Sequence, residues 1–372
     1  MTDREACILL NMISGIGFVR YQALSEAFGS PAKVFEQSEG ELVNVPRIGP
    51  QLAQRIACAS RELDLQGEIA LAERSGVRIL TLHDDAYPAV LRNLYDPPLA
   101  LYVRGTLPEF GTGNALAIVG TRRVTRYGAE VTRTLAEAAA EAGMVIVSGL
   151  ALGVDAIAHR AAVEASMPTV AVLGGGLARV HPQENIPLAR GIIRTGGAVV
   201  SEFPMQFPVS RTSFPRRNRI VARLADAVLV TEAGADSGAL ITADLAGEYS
   251  LVMAVPGRVD NPQAAGCHKL LKNGATLVEN FNDVASAMHL GLLPLCGEVH
   301  GPDVPYHADG LSDLPPDAVQ VLAVLNDHEA TFDELAAGTG MDAGRLSAAL
   351  SILELMLQIT RDASQVYRVR KI

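Results

Sequence analysis

Two stretches decide how this chain folds. They are Ala115-Leu116-Ala117-Ile118-Val119-Gly120-Thr121-Arg122-Arg123 and Met144-Val145-Ile146-Val147-Ser148-Gly149-Leu150-Ala151-Leu152-Gly153-Val154-Asp155. Each opens on an unbroken run of apolar residues and ends in small or polar ones. An unbroken run this short belongs to a strand covered on both faces, not to one with a wet side. Between them, 127–142 carries a helical pattern, and the alternation continues. Residues 169–173, 198–200, 227–230 and 251–255 are further strand candidates. Residues 153–165, 187–194, 216–224 and 238–249 read as helices. Alternating β and α with doubly buried runs predicts a doubly wound parallel α/β sheet over 111–290. Such sheets bind ligands beyond the carboxyl ends of their strands, so the residues after each strand are the candidate site.

After the first strand come Gly120, Thr121 and Arg122. Gly120 allows close approach to backbone, Thr121 offers a hydroxyl, and Arg122 a fork for phosphate. After the second, the small residues from Ser148 and Gly149 to Gly153 open a helix, so their amides and hydroxyl can hold an anion. Asp155 reads as a first-turn residue bonding backbone, and His159 as a structural histidine beneath the loop. Gly174-Gly175-Gly176 follows the third strand. The densest signal follows the fourth: Arg211-Thr212-Ser213-Phe214-Pro215-Arg216-Arg217-Asn218-Arg219-Ile220. Pro215 can start a helix there, and Phe214 can offer a stacking face to a base. A solvated basic turn with Phe214 in the core is the plainer alternative. After the fifth strand, Thr231 to Ser237 and Gly238 form another small-residue loop opening a helix. These loops specify an anion, most simply a phosphate, but no chemistry. There is no GxxxxGK[ST], no GxGxxG after the first strand, no HExxH or Cys/His cluster and no GxSxG elbow. No metal, cofactor or catalytic residue is expected.

The chain has 372 residues, 49% of them hydrophobic and 19% charged, which excludes a disordered or collagen-like chain. No apolar run reaches the ~18 residues of a bilayer span, and Asp3, Arg4 and Glu5 do not fit a secretory signal. A soluble, cytoplasmic protein without a membrane span is expected. Cys7, Cys58, Cys267 and Cys296 lie far apart, as reduced, packed thiols do. The net charge of −10 argues against nucleic acid at first sight. It is unevenly placed: −4 over 1–110, +1 over 111–290 and −7 over 291–372. Residues 211–223 hold five Arg and no acid, and local potential decides where an anion binds.

Residues 1–75 read as short helices. Ile13-Ser14-Gly15-Ile16-Gly17 and the weaker copy Val45-Pro46-Arg47-Ile48-Gly49 resemble helix-hairpin-helix turns, whose backbone N–H groups meet a phosphate. A small helical bundle with glycines at tight turns reads equally from them. Residues 76–110 form a connector with strands at 77–82 and 99–103. Residues 291–310, rich in Gly, Pro, His and Asp, read as a linker. Residues 311–372 read as helices at about 315–326, 331–339 and 342–356, then a hairpin in which Tyr367 and Val369 alternate with Arg368 and Arg370. That is a winged-helix pattern. Its recognition helix carries Arg345 and little other positive charge, so an acidic module that binds protein or simply packs fits better than a DNA reader.

Together these pieces resemble the bacterial DNA-processing protein A family (DprA, also called Smf). The resemblance covers nearly the whole chain. It rests on Gly120-Thr121-Arg122, Ser148 to His159, Phe214 to Ile220, Glu232-Ala233-Gly234 with Ser237-Gly238, and the flanking Tyr87-Pro88 and Asp96-Pro97-Pro98. Departures are His181 before Pro182, where the family usually has Tyr, and Cys267-His268, where it often has Thr-Asn. The resemblance implies a helical N-terminal domain, an extended Rossmann-like domain and a C-terminal winged helix. It implies sequence-independent single-stranded DNA binding, homodimerisation, and handover of the strand to the RecA recombinase in natural transformation, with single-stranded-DNA-binding protein a further partner. Carried over, the strand contacts are Gly120, Thr121, Arg122, Ser148, Gly149, Gly153, Arg211, Phe214, Arg216, Arg217, Asn218, Arg219, Ser237 and Gly238. Leu270 and Leu271 could serve a dimer contact or pack on their own sheet. The rival class is a nucleotide-binding enzyme of the phosphoribohydrolase type, whose Pro-Gly-Gly-x-Gly-Thr-x-x-Glu loop is replaced here by Thr231 to Gly238. A nucleotide-sensing module that regulates a partner is a further alternative.

Overall fold

The computed structural model describes residues 1–247, 249–290, 315–327, 330–355, 359–361 and 366–369. The chain divides into two compact units, Met1–Leu295 and Cys296–Ile372.

The first unit begins with helices α1 (Asp3–Met12), α2 (Phe18–Phe28), α3 (Pro31–Val34), α4 (Glu39–Leu42), α5 (Pro50–Glu62) and α6 (Leu65–Arg74). Thr2 and Glu5 close a capping box on α1, and Ser38 and Glu41 close another on α4. The helices turn their apolar faces inward on Leu10, Leu24, Leu42 and Ile56, all fully buried. The two glycine turns do join helices here, α1 to α2 and α4 to α5. Next come β1 (Val77–Thr81), α7 (Ala89–Arg92) and β2 (Ala100–Gly105).

The expected alternation then follows as β3 (Ala115–Val119), α8 (Arg126–Glu141), β4 (Val145–Ser148), α9 (Val154–Glu164), β5 (Thr169–Val172) and α10 (Ile186–Arg194). It continues through β6 (Ala198–Ser201), α11 (Ser213–Leu224), β7 (Ala227–Val230), α12 (Gly238–Ala246) and β8 (Leu251–Ala254). Helix α13 (Ala265–Lys272), β9 (Thr276–Leu277) and α14 (Phe281–Ala287) close the unit.

One sheet holds all nine strands in the order β1-β2-β6-β5-β4-β3-β7-β8-β9. From β6 to β9 neighbours run parallel, while β2 pairs antiparallel with both β6 and β1. The expected connector is therefore built into the sheet as its antiparallel edge. The chain winds outward from β3 through β4 and β5 to β6, then returns to the other side of β3 with β7. The crevice at that reversal is where such sheets take ligands.

Strand β3 explains its unbroken apolar run. Leu116 and Ile118 belong to the core on one face, Ala115, Ala117 and Val119 to the core on the other. The N-terminal helices are not free-standing, because Ile8 and Ala72 share a core with Tyr102, Leu173 and Val199 of the sheet.

The second unit has α15 (Pro316–Asp327), β10 (Ala330–Thr331), α16 (Phe332–Thr339), α17 (Ala343–Leu355), β11 (Ile359–Arg361) and β12 (Val366–Val369). Its strands pair antiparallel in the order β10-β12-β11, and Val321, Leu335, Leu346 and Leu353 form its core. Three helices and a small sheet in this order are a winged helix. Arg345 on α17 is paired with Asp317 at 2.6 Å, so its charge is already partnered. The expected linker, Cys296 and Arg370 lie outside the described residues. Among the described residues no helix is long and apolar enough to cross a membrane. Cys7 and Cys267 are buried free thiols and Cys58 is half-buried.

Candidate nucleic-acid interface

The loops after β3, β4 and β7, with the first turns of α11, enclose a cleft of about 490 Å³ at the point where the sheet reverses. Its floor is Arg217, which is 6% exposed. The guanidinium donates to the carbonyls of Gly149 and Val172, each at 2.5 Å, and to Asn218 Oδ1 at 3.1 Å. Gly149 is obligatory for this approach. A Cβ there would lie 2.0 Å from Arg217 Nη1. Asp155 Oδ2 accepts from the N–H groups of Gly149 (3.2 Å) and Ala151 (3.4 Å), so the glycine loop is held from both ends. Burial raises the Asp155 carboxyl above its ordinary range, opposed by the Arg217 charge and the two amides. Burial likewise lowers Arg217, opposed by Asp155.

The rim is set by Thr121. Its N–H donates to the Glu232 carbonyl at 2.7 Å, its carbonyl accepts from Val154 at 3.2 Å, and its hydroxyl accepts from Arg123 at 3.1 Å. Glu232 in turn spends both carboxylate oxygens on Thr125, accepting from its N–H at 2.7 Å and its hydroxyl at 2.6 Å. This glutamate therefore ties the loops after β3 and β7 together. Above the rim, the exposed Arg122 guanidinium lies 4.6 Å from the ring centroid of Phe214. Phe214 is half-buried on the cleft wall rather than in the core. Opposite, Ser237 caps α12 by accepting from Ala239 at 3.3 Å, and Asn218 Nδ2 donates to the Gly238 carbonyl at 3.3 Å. The positive end of the α12 dipole thus borders the cleft.

The structure brings Gly120, Thr121, Arg122, Gly149, Phe214, Arg217, Asn218, Ser237 and Gly238 together as cleft lining. It does not bring the other expected contacts there. The Ser148 hydroxyl is turned inward and donates to the Ile118 carbonyl at 2.6 Å. Gly153 supports the loop from behind, and Arg211 is exposed outside the cleft. Arg216 and Arg219 point to the opposite side of α11, onto Glu202 at 3.1 and 2.5 Å. The glycine-loop amides of 149 and 151, expected to face an anion, are used by Asp155 instead. Arg123 and Gln263 line the cleft without having been singled out. Gln263 follows β8, whose loop opens on the same edge, so the rule about strand ends would have found it.

His159 packs beneath the loop with no exposed surface, as expected. Its Nδ1 meets the Thr169 hydroxyl at 2.8 Å, and that hydroxyl donates to the Ile146 carbonyl, so Nδ1 is the donor. Burial, then the Arg217 charge, pull its pKa down to about 3, and the ring is neutral. The Cys267 thiol is pushed up to about 11 by burial, and His268 bonds the Gly257 carbonyl at 2.9 Å, so the Cys267-His268 departure from the family pattern serves packing, while His181, the other departure, is exposed.

A family model described as DNA recombination-mediator protein A matches residues 78–289, which take in every loop of this cleft. Models for the DprA winged helix domain and a SAM-like helix-hairpin-helix tandem match 307–364 and 8–62. Protein Smf of Escherichia coli is 33% identical over 365 residues, covering 95% of this chain and 96% of that protein. The chain belongs to the DprA/Smf family. The putative DNA processing protein DprA of Mycobacterium tuberculosis is 36% identical over 326 residues, 83% of this chain and 81% of that one. The crystal structure of DprA from Streptococcus pneumoniae superimposes with a TM-score of 0.64 at 30% identity, covering 77% of this chain and 98% of that one. The Helicobacter pylori DprA structure, described for its single-stranded DNA binding mode, gives a TM-score of 0.52 at 33% identity, covering 57% and 96%. In this DprA/Smf chain, Leu270 is buried and Leu271 packs partly against the sheet core.

Proposed function

We propose that this DprA/Smf chain binds single-stranded DNA without regard to sequence, in the cleft over β3, β4 and β7. We propose further that it passes the strand to the RecA recombinase during uptake and recombination of DNA. The observation that carries the first part is the Arg122–Phe214 stack standing over the Arg217 floor. Guanidinium groups and a helix N-terminus recognise phosphate, which carries no sequence. A base that reaches the Phe214 ring must be unstacked, which a single strand offers and a duplex does not. The family model, described as a DNA recombination mediator, supports the role in recombination, and the likeness to the Helicobacter pylori protein supports the single strand as ligand. A homodimer would place two such clefts on one strand and gain avidity. Single-stranded-DNA-binding protein is a further partner on the same strand. The cytoplasm, where these partners act, is the expected compartment.

The test is fluorescence anisotropy with a labelled single-stranded oligonucleotide and its duplex across a salt series. Single-strand binding should be the tighter. Arg122→Ala should weaken it about tenfold and reduce the slope of log K against log salt by about 0.7, the loss of one phosphate contact. Equal binding of both DNAs, or an unchanged Arg122→Ala variant, would overturn the proposal.

A further inference from the structure

The run Arg216-Arg217-Asn218-Arg219 is contiguous in sequence but divided in space. Phe214, Arg217, Asn218 and Val221 follow the i, i+3, i+4, i+7 spacing of one helix face, and all four line the cleft. Arg216 and Arg219 lie on the other face, where both reach one oxygen, Oε2, of Glu202. Glu202 is 3% exposed and the Arg219 side chain 13%, so this pair is desolvated, unlike a surface salt bridge. The carbonyl of Glu202 accepts from Asn11 Nδ2 of α1 at 3.0 Å.

Arg219 also lies 3.9 Å from Asp96, whose Oδ1 accepts from the Phe18 N–H at 3.0 Å. That N–H opens α2, whose N-cap, Gly17, has no side-chain cap of its own. The first glycine turn therefore already holds an anion, and it is the chain's own carboxylate. A side chain on Gly17 would crowd it, since a Cβ would lie 3.2 Å from Asp96 Oδ1. The carbonyls of the same turn are occupied as well, Gly15 by Arg20 and Ser14 by Arg55. Among the described residues Glu202 Oε1 and Arg219 Nη1 are buried without a partner, so the joint depends on the contacts it has.

We infer that Arg219 and Glu202 are positioning residues for strand binding. With Asp96 they clamp the N-terminal helices onto the back of α11, and so hold Phe214, Arg217 and Asn218 in place on its front. The clamp rests on the cleft being the strand site. It assigns Arg219 no phosphate, and it gives the first glycine turn an internal task in place of a DNA contact.

The sign of the mutational effect separates this from simple electrostatics. Glu202→Gln and Asp96→Asn each remove a negative charge, which by field alone strengthens binding to a polyanion. The clamp predicts the reverse, single-strand binding weaker by about fivefold, with the wild-type salt slope because no phosphate contact is lost. Arg219→Gln should weaken binding in the same way, again without changing the slope. The experiment is anisotropy on the full chain, well below each variant's melting temperature, with Arg122→Ala alongside. Asp96→Asn alters a side chain that is 42% exposed, and it keeps the test open if Glu202→Gln folds poorly. Unchanged or tighter binding by Asp96→Asn, or a slope reduced by Arg219→Gln, overturns the clamp while the Arg122→Ala loss upholds the cleft. No loss in Arg122→Ala overturns the cleft and the clamp with it.

Discussion

Arg217→Met should lower single-strand affinity about a hundredfold and destabilise the first unit by about 3 kcal/mol. Methionine fills much of the arginine's volume, so the loss is one of charge and hydrogen bonds rather than a cavity. Without the guanidinium, the Gly149 and Val172 carbonyls at the ends of β4 and β5 lose their donor. Asp155 loses the positive charge that opposes its burial. The cleft loses the cation in its floor, and there the low dielectric strengthens attraction to phosphate. A thermal melt should show a Tm lower by roughly 6–12 °C, and anisotropy at low temperature should show the affinity loss in folded protein. An affinity within twofold of wild type would show that the floor of the cleft does not meet the strand.

Gly153→Ala should be nearly as damaging, for a reason of backbone alone. Gly153 has φ +80° and ψ −129°, a region that side-chain-bearing residues scarcely enter. An added Cβ would lie 2.3 Å from the Thr121 carbonyl and 2.9 Å from the Arg122 Cα. Strain and displacement together should cost about 3 kcal/mol. The Thr121 carbonyl also accepts from Val154, so relief of the clash must move the rim and the start of α9 together. Arg122 shifts with the rim, and single-strand affinity should fall even in the folded fraction. A variant with wild-type Tm and affinity would contradict the close fit between the two loops.

The parallel strands were legible because both faces of each are buried. In β3 alternate residues enter opposite cores, so apolar character never lapses along it. Strands β1 and β2 were legible as strands but not as part of the sheet. Their place depends on Tyr102 pairing with Ser201, about a hundred residues away, which no local pattern announces. Strands β9 and β10 have two residues each, too few for any period to show. The site was legible as a set of loops on one edge, and that placement needed only the rule of the switch point. Side-chain direction was not legible. Ser148 looked like a loop hydroxyl, yet it ends β4 and turns toward the neighbouring strand. The arginines of α11 looked like one patch, yet a helix advances about 100° per residue and sends adjacent ones apart. Asp96 reads in the sequence only as the start of Asp96-Pro97-Pro98, and nothing near it says that it occupies the first glycine turn.

The most direct test of the central claim is photo-cross-linking of a single-stranded oligonucleotide carrying 5-iodouracil, followed by mass spectrometry of the joined peptide. A base stacked on the cleft wall should join the peptide that contains Phe214, and Phe214→Leu should abolish the product. Cross-links confined to the N-terminal helices or to the winged helix would contradict strand binding in the cleft.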